Sequence, residues 1–291
     1  MTKIAFFTDS NCDIPLETAR ELGIEILPFT ITIDGVQYKE SYSFTPAEFY
    51  EKLISCIELP ATAQISPGEF AAAFNRAFEG GYDCAVVTTM TSVGSGTYNS
   101  ALVGRTLFYE ERPEAEEKFD IYIYDSRNYS ISHGYGILRA ARAYKAGAEL
   151  AEVLELIESW YANLETCFSV FTLKYVSRSG RISGAVQTVC DMLGLCPIME
   201  NINGIFRTFK TPRGRKAAVR AIAQRFYEHW DGESDYVILR GITDTEALAL
   251  AQLLEEHTGK PPAGIFYAGA SISTNTGPYI AGVGFTAKKE K

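Results

Sequence analysis

The run CAVVTTMTSVGSGTYNS, residues 84–100, decides how this chain is read. Cys84, Ala85, Val86 and Val87 predict a buried strand, and the hydroxyls and glycines after them lead into a helical pattern. A strand that feeds a glycine-bearing turn and then a helix is the repeating unit of a parallel sheet. Such a turn predicts backbone N–H groups and the positive end of the helix facing outward to hold an anion, with Gly94 and Gly96 letting a ligand come close. No Gly-Lys-Ser/Thr follows, so the lysine that would reach a nucleotide's terminal phosphates is missing. The plainer reading makes Ser95 the N-cap of an ordinary helix.

The same rhythm extends outward over the first half. Strands are predicted at 3–8, 24–33, 83–89 and 120–124, and helices at 15–22, 45–56, 67–79, 97–111, 132–146 and 149–163. Pro15, Pro46 and Pro67 fall where a first helical turn accepts them, with Thr45 and Ser66 as N-caps. Asp34-Gly35 reads as a tight hairpin turn, an antiparallel excursion within this half. The second half is mixed, with strands near 167–172, 195–200, 205–211, 235–240, 264–269 and 281–287, and helices at 183–193, 214–229 and 244–258. Asn203-Gly204 supplies another hairpin. The predicted fold class is α/β. A mostly parallel sheet flanked by helices spans 1–165, and an α+β domain spans 166–291.

Composition narrows the function. A chain of 291 residues with 46% apolar residues buries a sizeable core. It contains no run of about 18 apolar residues and starts with a strand, MTKIAFF, which predicts a cytoplasmic protein without stable membrane insertion. Six scattered cysteines without a CxxC pair read as reduced core residues, and no metal site is expected. A net charge of −9 argues against nucleic acid as a partner. The charge is uneven: residues 174–225 carry +8 and the remainder −17, which points to a basic docking face.

Ligands of open parallel sheets gather beyond the carboxyl ends of the strands. The segments there are Thr8-Asp9-Ser10 with Asp13, Thr91 to Thr97, and Asp125 to Gly136; the loop ATAQISP adds Thr62, Gln64 and Ser66. Hydroxyls and an amide dominate, and these hydrogen-bond an anion without adding charge. Asp9 reads as a helix cap or a partner of nearby backbone. Phe29 and Met90 read as core rather than as pocket walls. An enzyme reading would use Ser95 as nucleophile, His133 as base and Asp125 as its orienting group, a small esterase or phosphatase. The residues at 93–97 read V-G-S-G-T, which is not the G-x-S-x-G elbow.

Taken in order, TDSNCDIP (8–15), ATAQISPGEF (61–70), TSVGSGTYNSA (91–101), the DS…S-x-G-x-G pattern (125–136), LKYVSRSGRIS (173–183), LCPIME (195–200), NGIF…K-T-P-R (203–213) and TGP (276–278) resemble the DegV family of bacterial lipid-binding proteins. That family includes the fatty-acid-binding subunits of bacterial fatty acid kinase. The resemblance implies a two-domain fold that buries one long acyl chain, palmitate- or oleate-like, in a tunnel between or within the domains, with no other cofactor. It implies a headgroup site of Thr62 and Ser95, with donors from Gly96 and Thr97 and with Gln64, Ser66 and Asn275 alongside. It also implies a non-catalytic carrier, in transient contact with membranes, that presents the carboxylate to a separate ATP-dependent kinase for acyl-phosphate formation. Arg178, Arg181, Arg207, Lys210 and Arg213 would face that partner. The chain departs from the family pattern at Ala63, Ile65, Cys196 and Asn275, which replace the usual serine, proline, lysine and histidine. Enclosing about fourteen methylenes at ~0.8 kcal/mol each gives roughly 11 kcal/mol gross, so the tail carries the affinity and the head needs only neutral donors.

Overall fold

The computed structural model describes residues 1–176 and 194–288. The helix expected at 183–193 lies outside them, as do Arg178, Arg181 and Cys190. Three sheets organise the described residues. The first is parallel, in the order β2-β1-β6-β7, built from β1 (Ile4–Asp9), β2 (Ile24–Leu27), β6 (Cys84–Thr89) and β7 (Asp120–Asp125). Every residue of β1 and β6 is buried, as expected of central strands covered on both faces.

The single strand predicted over 24–33 is in fact two strands in different sheets. Pro28 cannot donate to a ladder, and the chain leaves the parallel sheet there. β3 (Thr30–Ile33) then pairs antiparallel with β4 (Val36–Lys39) and with β5 (Ala61–Ala63), a strand the sequence reading missed. The β3–β4 turn is the expected one, with φ of 46° at Asp34 and 80° at Gly35.

Helix α1 (Leu16–Glu21) follows β1. Helices α2 (Pro46–Ser55) and α3 (Pro67–Glu79) begin as predicted, with Pro at the first turn and full capping boxes, Thr45 with Glu48 and Ser66 with Glu69. Helix α4 (Thr97–Glu111) follows β6, and α5 (Ser130–Lys145) and α6 (Leu150–Ala162) follow β7. Ser95 misses the N-cap by one residue; Gly96 occupies it.

The third sheet has six strands in the order β10-β9-β8-β13-β11-β12. These are β8 (Leu164–Val170), β9 (Ile198–Ile202), β10 (Ile205–Lys210), β11 (Tyr236–Arg240), β12 (Ile265–Tyr267) and β13 (Ile280–Thr286). Its neighbours are antiparallel except β11 and β12. Helices α7 (Arg215–His229) and α8 (Thr245–Thr258) close a core against it around Phe226, Tyr236 and Phe285. A short helix that the sequence reading did not foresee, α9 (Ala270–Thr276), lies between β12 and β13.

One apolar core joins the parallel and six-stranded sheets through α5 and α6, running from Phe6 and Val86 through Ile137 and Trp160 to Phe168 and Val237. Glycine makes this approach possible: a Cβ on Gly134 would collide with the Cys12 carbonyl, and one on Gly136 would stand 2.7 Å from the Tyr161 ring. The Trp160 indole N–H and the Tyr161 hydroxyl donate to the carbonyls of Ser132 and His133, at 2.8 and 2.7 Å. Both the start of α5 and the strand ends it covers are therefore fixed in place.

Candidate functional site

The turn after β6 does not offer its backbone to an anion, contrary to the sequence reading. Every N–H from Thr91 to Thr97 is already donated within the protein. Thr91 donates to the Asn128 carbonyl, Ser92 to the Asp125 carboxylate, and Val93 to the Thr91 hydroxyl. Gly94 and Ser95 donate to the Thr91 carbonyl, Gly96 to Gln64 Oε1 at 2.9 Å and Thr97 to Ser95 Oγ at 3.3 Å. A cradle like a phosphate loop needs free N–H groups, and here the turn has spent them on its own shape. What it leaves facing outward is the Ser95 hydroxyl, held 2.8 Å from Thr97 Oγ1.

That hydroxyl lines a partly open cavity of about 270 Å³, close to the lower bound of ~300 Å³ usual for small-molecule sites. Its polar wall comes from Asn11 after β1, Thr62 and Gln64 at β5, Ser95 after β6, and Ser271, Asn275 and Thr276 on α9. Its apolar wall comes from Phe29, Met90, Tyr129, Phe206 and Ile272. The structure thus brings five of the seven expected ligand residues to one place: Thr62, Gln64, Ser95, Gly96 and Asn275. Thr97 stands behind Ser95, fully buried. Ser66 is not on the wall, because its hydroxyl is committed to Glu69, at 2.8 Å, in the cap of α3. Phe29 and Met90, read from sequence as core, are both core and cavity wall.

Gln64 ties β5 to the turn after β6. Its Oε1 accepts from Gly96 N and its Nε2 donates to Ser100 Oγ at 3.1 Å. Gly96 is needed here for space, since a Cβ would stand 2.5 Å from Gln64 Oε1. The β9–β10 hairpin covers the cavity. Its Asn203-Gly204 turn has φ of 53° and 84°, and Gly204 rests on Thr91, where a Cβ would clash with the threonine hydroxyl. Phe206 stacks on Tyr129 with ring centroids 4.6 Å apart.

Behind the polar wall lies a buried acidic group at the end of β1. Asp9 accepts from Asn11 N at 3.0 Å and from Met90 N at 2.7 Å, the backbone role expected of it. Asp13 accepts from Gly269 N at 2.9 Å and from the Ser130 hydroxyl. Burial, reinforced by the Glu40 charge, pushes the Asp13 carboxyl well above the usual range against those hydrogen bonds. Glu40 accepts from Ser10 Oγ at 2.6 Å and from Ser271 N at 2.7 Å. Burial pushes its carboxyl up to about 7, the hydrogen bonds from Ser10 and Ser271 oppose the rise, and the Asp9 charge adds to it.

The enzyme reading is not assembled. His133 Nε2 lies 3.2 Å from Thr8 Oγ1 and 3.5 Å from Asp9, on a fully buried ring. Asp125 binds Ser92 and Arg127 N instead. The hydrogen bonds of Ser95, His133 and Asp125 lead to three different places, whereas a triad needs each member to touch the next. No cluster of three or more His, Cys, Asp or Glu side chains among the described residues is arranged to hold a metal. No helix among them is long and apolar enough to cross a membrane.

A partly open cavity lined by neutral hydroxyl and amide groups and by aromatic side chains, between a parallel sheet and a mixed one, has the form of a small-molecule site. A family model described as "Uncharacterised protein, DegV family" matches residues 3–288, and the chain belongs to the DegV family. A DegV domain-containing protein of Caldanaerobacter subterraneus subsp. tengcongensis is 31% identical over 99% of this chain and 100% of its own length. Among solved structures, a fatty-acid-binding DegV family protein from Thermus thermophilus is 26% identical with a TM-score of 0.82, covering 98% of this chain and all of its own. A Streptococcus pneumoniae fatty acid kinase B3 protein, loaded with linoleic acid, shares the fold at 19% identity and a TM-score of 0.83, covering 99% of this chain and all of its own.

Proposed function

We propose that this chain is a cytoplasmic, non-catalytic carrier that binds one long-chain fatty acid, its carboxylate at Thr62 and Ser95 and its tail along Phe29 and Met90. The observation that carries the reading is a single cavity lined both by hydroxyl and amide side chains and by aromatic and apolar ones. Neutral donors suit a head that changes from carboxylate to acyl phosphate, while burial of the tail supplies the affinity. The Thermus thermophilus relative, described as fatty-acid-binding, supports the same ligand class.

The kinase partnership rests on the family resemblance and on surface charge. Arg207 and Lys210 are exposed on β10, the edge strand that also carries Phe206 over the cavity, and Arg213 is exposed three residues further on. A partner seated on this edge would reach the cover of the cavity. Arg178 and Arg181, the other two candidates for this face, lie outside the described residues. The division into 1–165 and 166–291 belongs to the same reading; the six-stranded sheet starts at Leu164.

The test is mass spectrometry of the purified protein, native and after organic extraction. One fatty acid per chain is expected, and a lipid-free mass with no uptake of added palmitate or oleate overturns the proposal. Replacing Thr62 and Ser95 together with alanine is expected to reduce headgroup recognition sharply, read as lost preference for the acid over its methyl ester, with little change in thermal stability. Charge reversal at Arg207 and Arg213 is expected to impair phosphorylation of the bound acid by its kinase more than binding.

A further inference from the structure

Glu40 reaches both the polar and the apolar lining of the cavity from behind, as Asp9 does through Asn11 N and Met90 N. On one side its Oε1 accepts from Ser271 N at 2.7 Å, and the Ser271 hydroxyl donates to it as well. Ser271 stands on the cavity's polar wall. On the other side its Oε2 accepts from Ser10 Oγ at 2.6 Å, and Ser10 Oγ in turn accepts from Phe29 N at 2.9 Å. Phe29 stands on the apolar wall. Glu40 is only 2% exposed, so its charge is screened by protein and not by water.

Its neighbours leave it poorly compensated. From β1 and the turn after it, Asp9, Cys12 and Asp13 face it with negative or neutral groups. From α5, Ser130 reaches Asp13, and His133 reaches Asp9 rather than Glu40. From α2, Tyr50 donates to the Ala268 carbonyl at 2.7 Å. Helix α9 carries no ionisable side chain. The adjacent Lys39 turns outward to Glu69, 3.5 Å away.

The geometry points to Glu40 as the positioning residue that links headgroup binding to uptake of one proton. An anionic head at Thr62 and Ser95 adds a negative charge to a cavity whose Ser271 lining is already backed by buried carboxyls. The inexpensive response is protonation of Glu40: the proton is taken from solvent onto Oε2, which then donates to Ser10 Oγ while the Ser10 hydroxyl hydrogen rotates out of that contact. The Ser271 hydroxyl, no longer held by a carboxylate, is then free to donate into the cavity. A carboxyl that titrates near neutrality makes the exchange accessible under physiological conditions. This inference rests on the fatty-acid reading of the cavity and adds a pH dependence to it.

The test uses the full-length protein and cis-parinaric acid, followed by fluorescence and calorimetry in buffers of two ionisation heats. A carboxylate probe is ionised throughout pH 6 to 8. Wild-type affinity is expected to weaken about tenfold across that range, with up to about one proton taken up per probe bound. The methyl ester of the same acid, whose head is neutral, is expected to show a flat profile. Glu40→Gln is expected to flatten the acid's profile, and Ser271→Ala to reduce its slope. The proposal is overturned by wild-type binding of the acid without proton uptake, by an equal slope for acid and ester, or by an unchanged slope in Glu40→Gln. The acid and ester comparison needs no variant to fold. Failure of the wild type to bind either probe at any pH would instead sink the fatty-acid reading.

Discussion

The ends of β1 and β6 are neighbours in the same parallel sheet, and they solve opposite problems. The turn after β6 reads TSVGSGT and shows hydroxyls to a cavity; the turn after β1 reads DSNCD and holds its carboxylates behind that cavity's wall. Both consume their own polar groups. The first spends N–H groups on Thr91, Gln64 and Ser95, and the second spends carboxylate oxygens on Met90 N, Asn11 N and Gly269 N. The Asp9–Met90 bond ties the two turns together. A ligand therefore meets neutral groups whose positions are set by buried charges it does not touch.

Helix α5 underlies both turns, so the comparison breaks most completely there. Ser130 N donates to Asn11 Oδ1 at 3.0 Å, and His133 lies under Thr8 and Asp9. In Gly134→Ala the new Cβ meets the Cys12 carbonyl, a backbone atom with no rotamer to give. A loss of about 3 kcal/mol or more is expected, read as a large fall in the denaturation midpoint; an unchanged midpoint would show that the β1 turn moves freely against α5.

The next effect comes from Glu40, which follows β4 and packs against the carboxylates of the β1 turn. Glu40, near 4.5 when unfolded and pushed up to about 7 when folded, keeps its proton longer in the native state. Its contribution to stability is full below the unfolded value and is lost as pH rises through the folded one. The buried Asp13 shifts in the same direction. Stability is expected to fall by roughly 3 kcal/mol between about pH 4.5 and pH 7, and Glu40→Gln is expected to flatten the profile. Denaturation series across that range decide it, and a profile that rises with pH in the wild type and is unaltered in the variant would contradict it.

Much of this architecture was legible in the sequence. Periodicity placed β1, β6 and the helices after them, because central parallel strands are continuous apolar runs and the caps at Thr45 and Ser66 carry their own chemistry. The polar turns were legible as a group for the same reason. Less visible was where their donors point. TSVGSGT specifies an abundance of N–H and O–H groups, but their direction depends on Gln64 and Asn128, which arrive from other elements. Helix α9 was missed because its seven residues, ASISTNT, carry too little apolar periodicity to stand out, although Gly269 and Gly277 bracket it. Phe29, Met90 and Phe206 could not be distinguished from core by composition, since a cavity wall and a core are made of the same side chains.

Asp9→Asn tests the tie between the turns. The carboxylate accepts from two backbone N–H groups; an amide offers one oxygen and turns its NH₂ toward the other donor. Leaving one buried N–H unpaired is expected to cost about 2 kcal/mol. The substitution also removes a negative charge that raises Glu40, so the midpoint of the pH profile should move to lower pH. Loss of stability without that movement would show that Asp9 acts through the backbone alone.

The smallest effect concerns the residue that sequence and structure place differently. Ser66 belongs to the polar loop that supplies Thr62 and Gln64, yet its hydroxyl accepts from Glu69 N at 3.3 Å and donates to Glu69 Oε2 at 2.8 Å, on an exposed helix end. Ser66→Ala removes a cap and nothing on the cavity wall, so about 1 kcal/mol of stability should be lost with fatty-acid retention unchanged. Gln64→Ala, two residues earlier, removes the acceptor for Gly96 N and the donor to Ser100, and retention should fall with it. Measured side by side by extraction and mass spectrometry, the pair locates the edge of the binding wall. If Ser66→Ala sheds lipid as Gln64→Ala does, that edge reaches into the cap of α3, and the separation between shape-holding and ligand-facing hydroxyls drawn from the two turns does not extend to this loop.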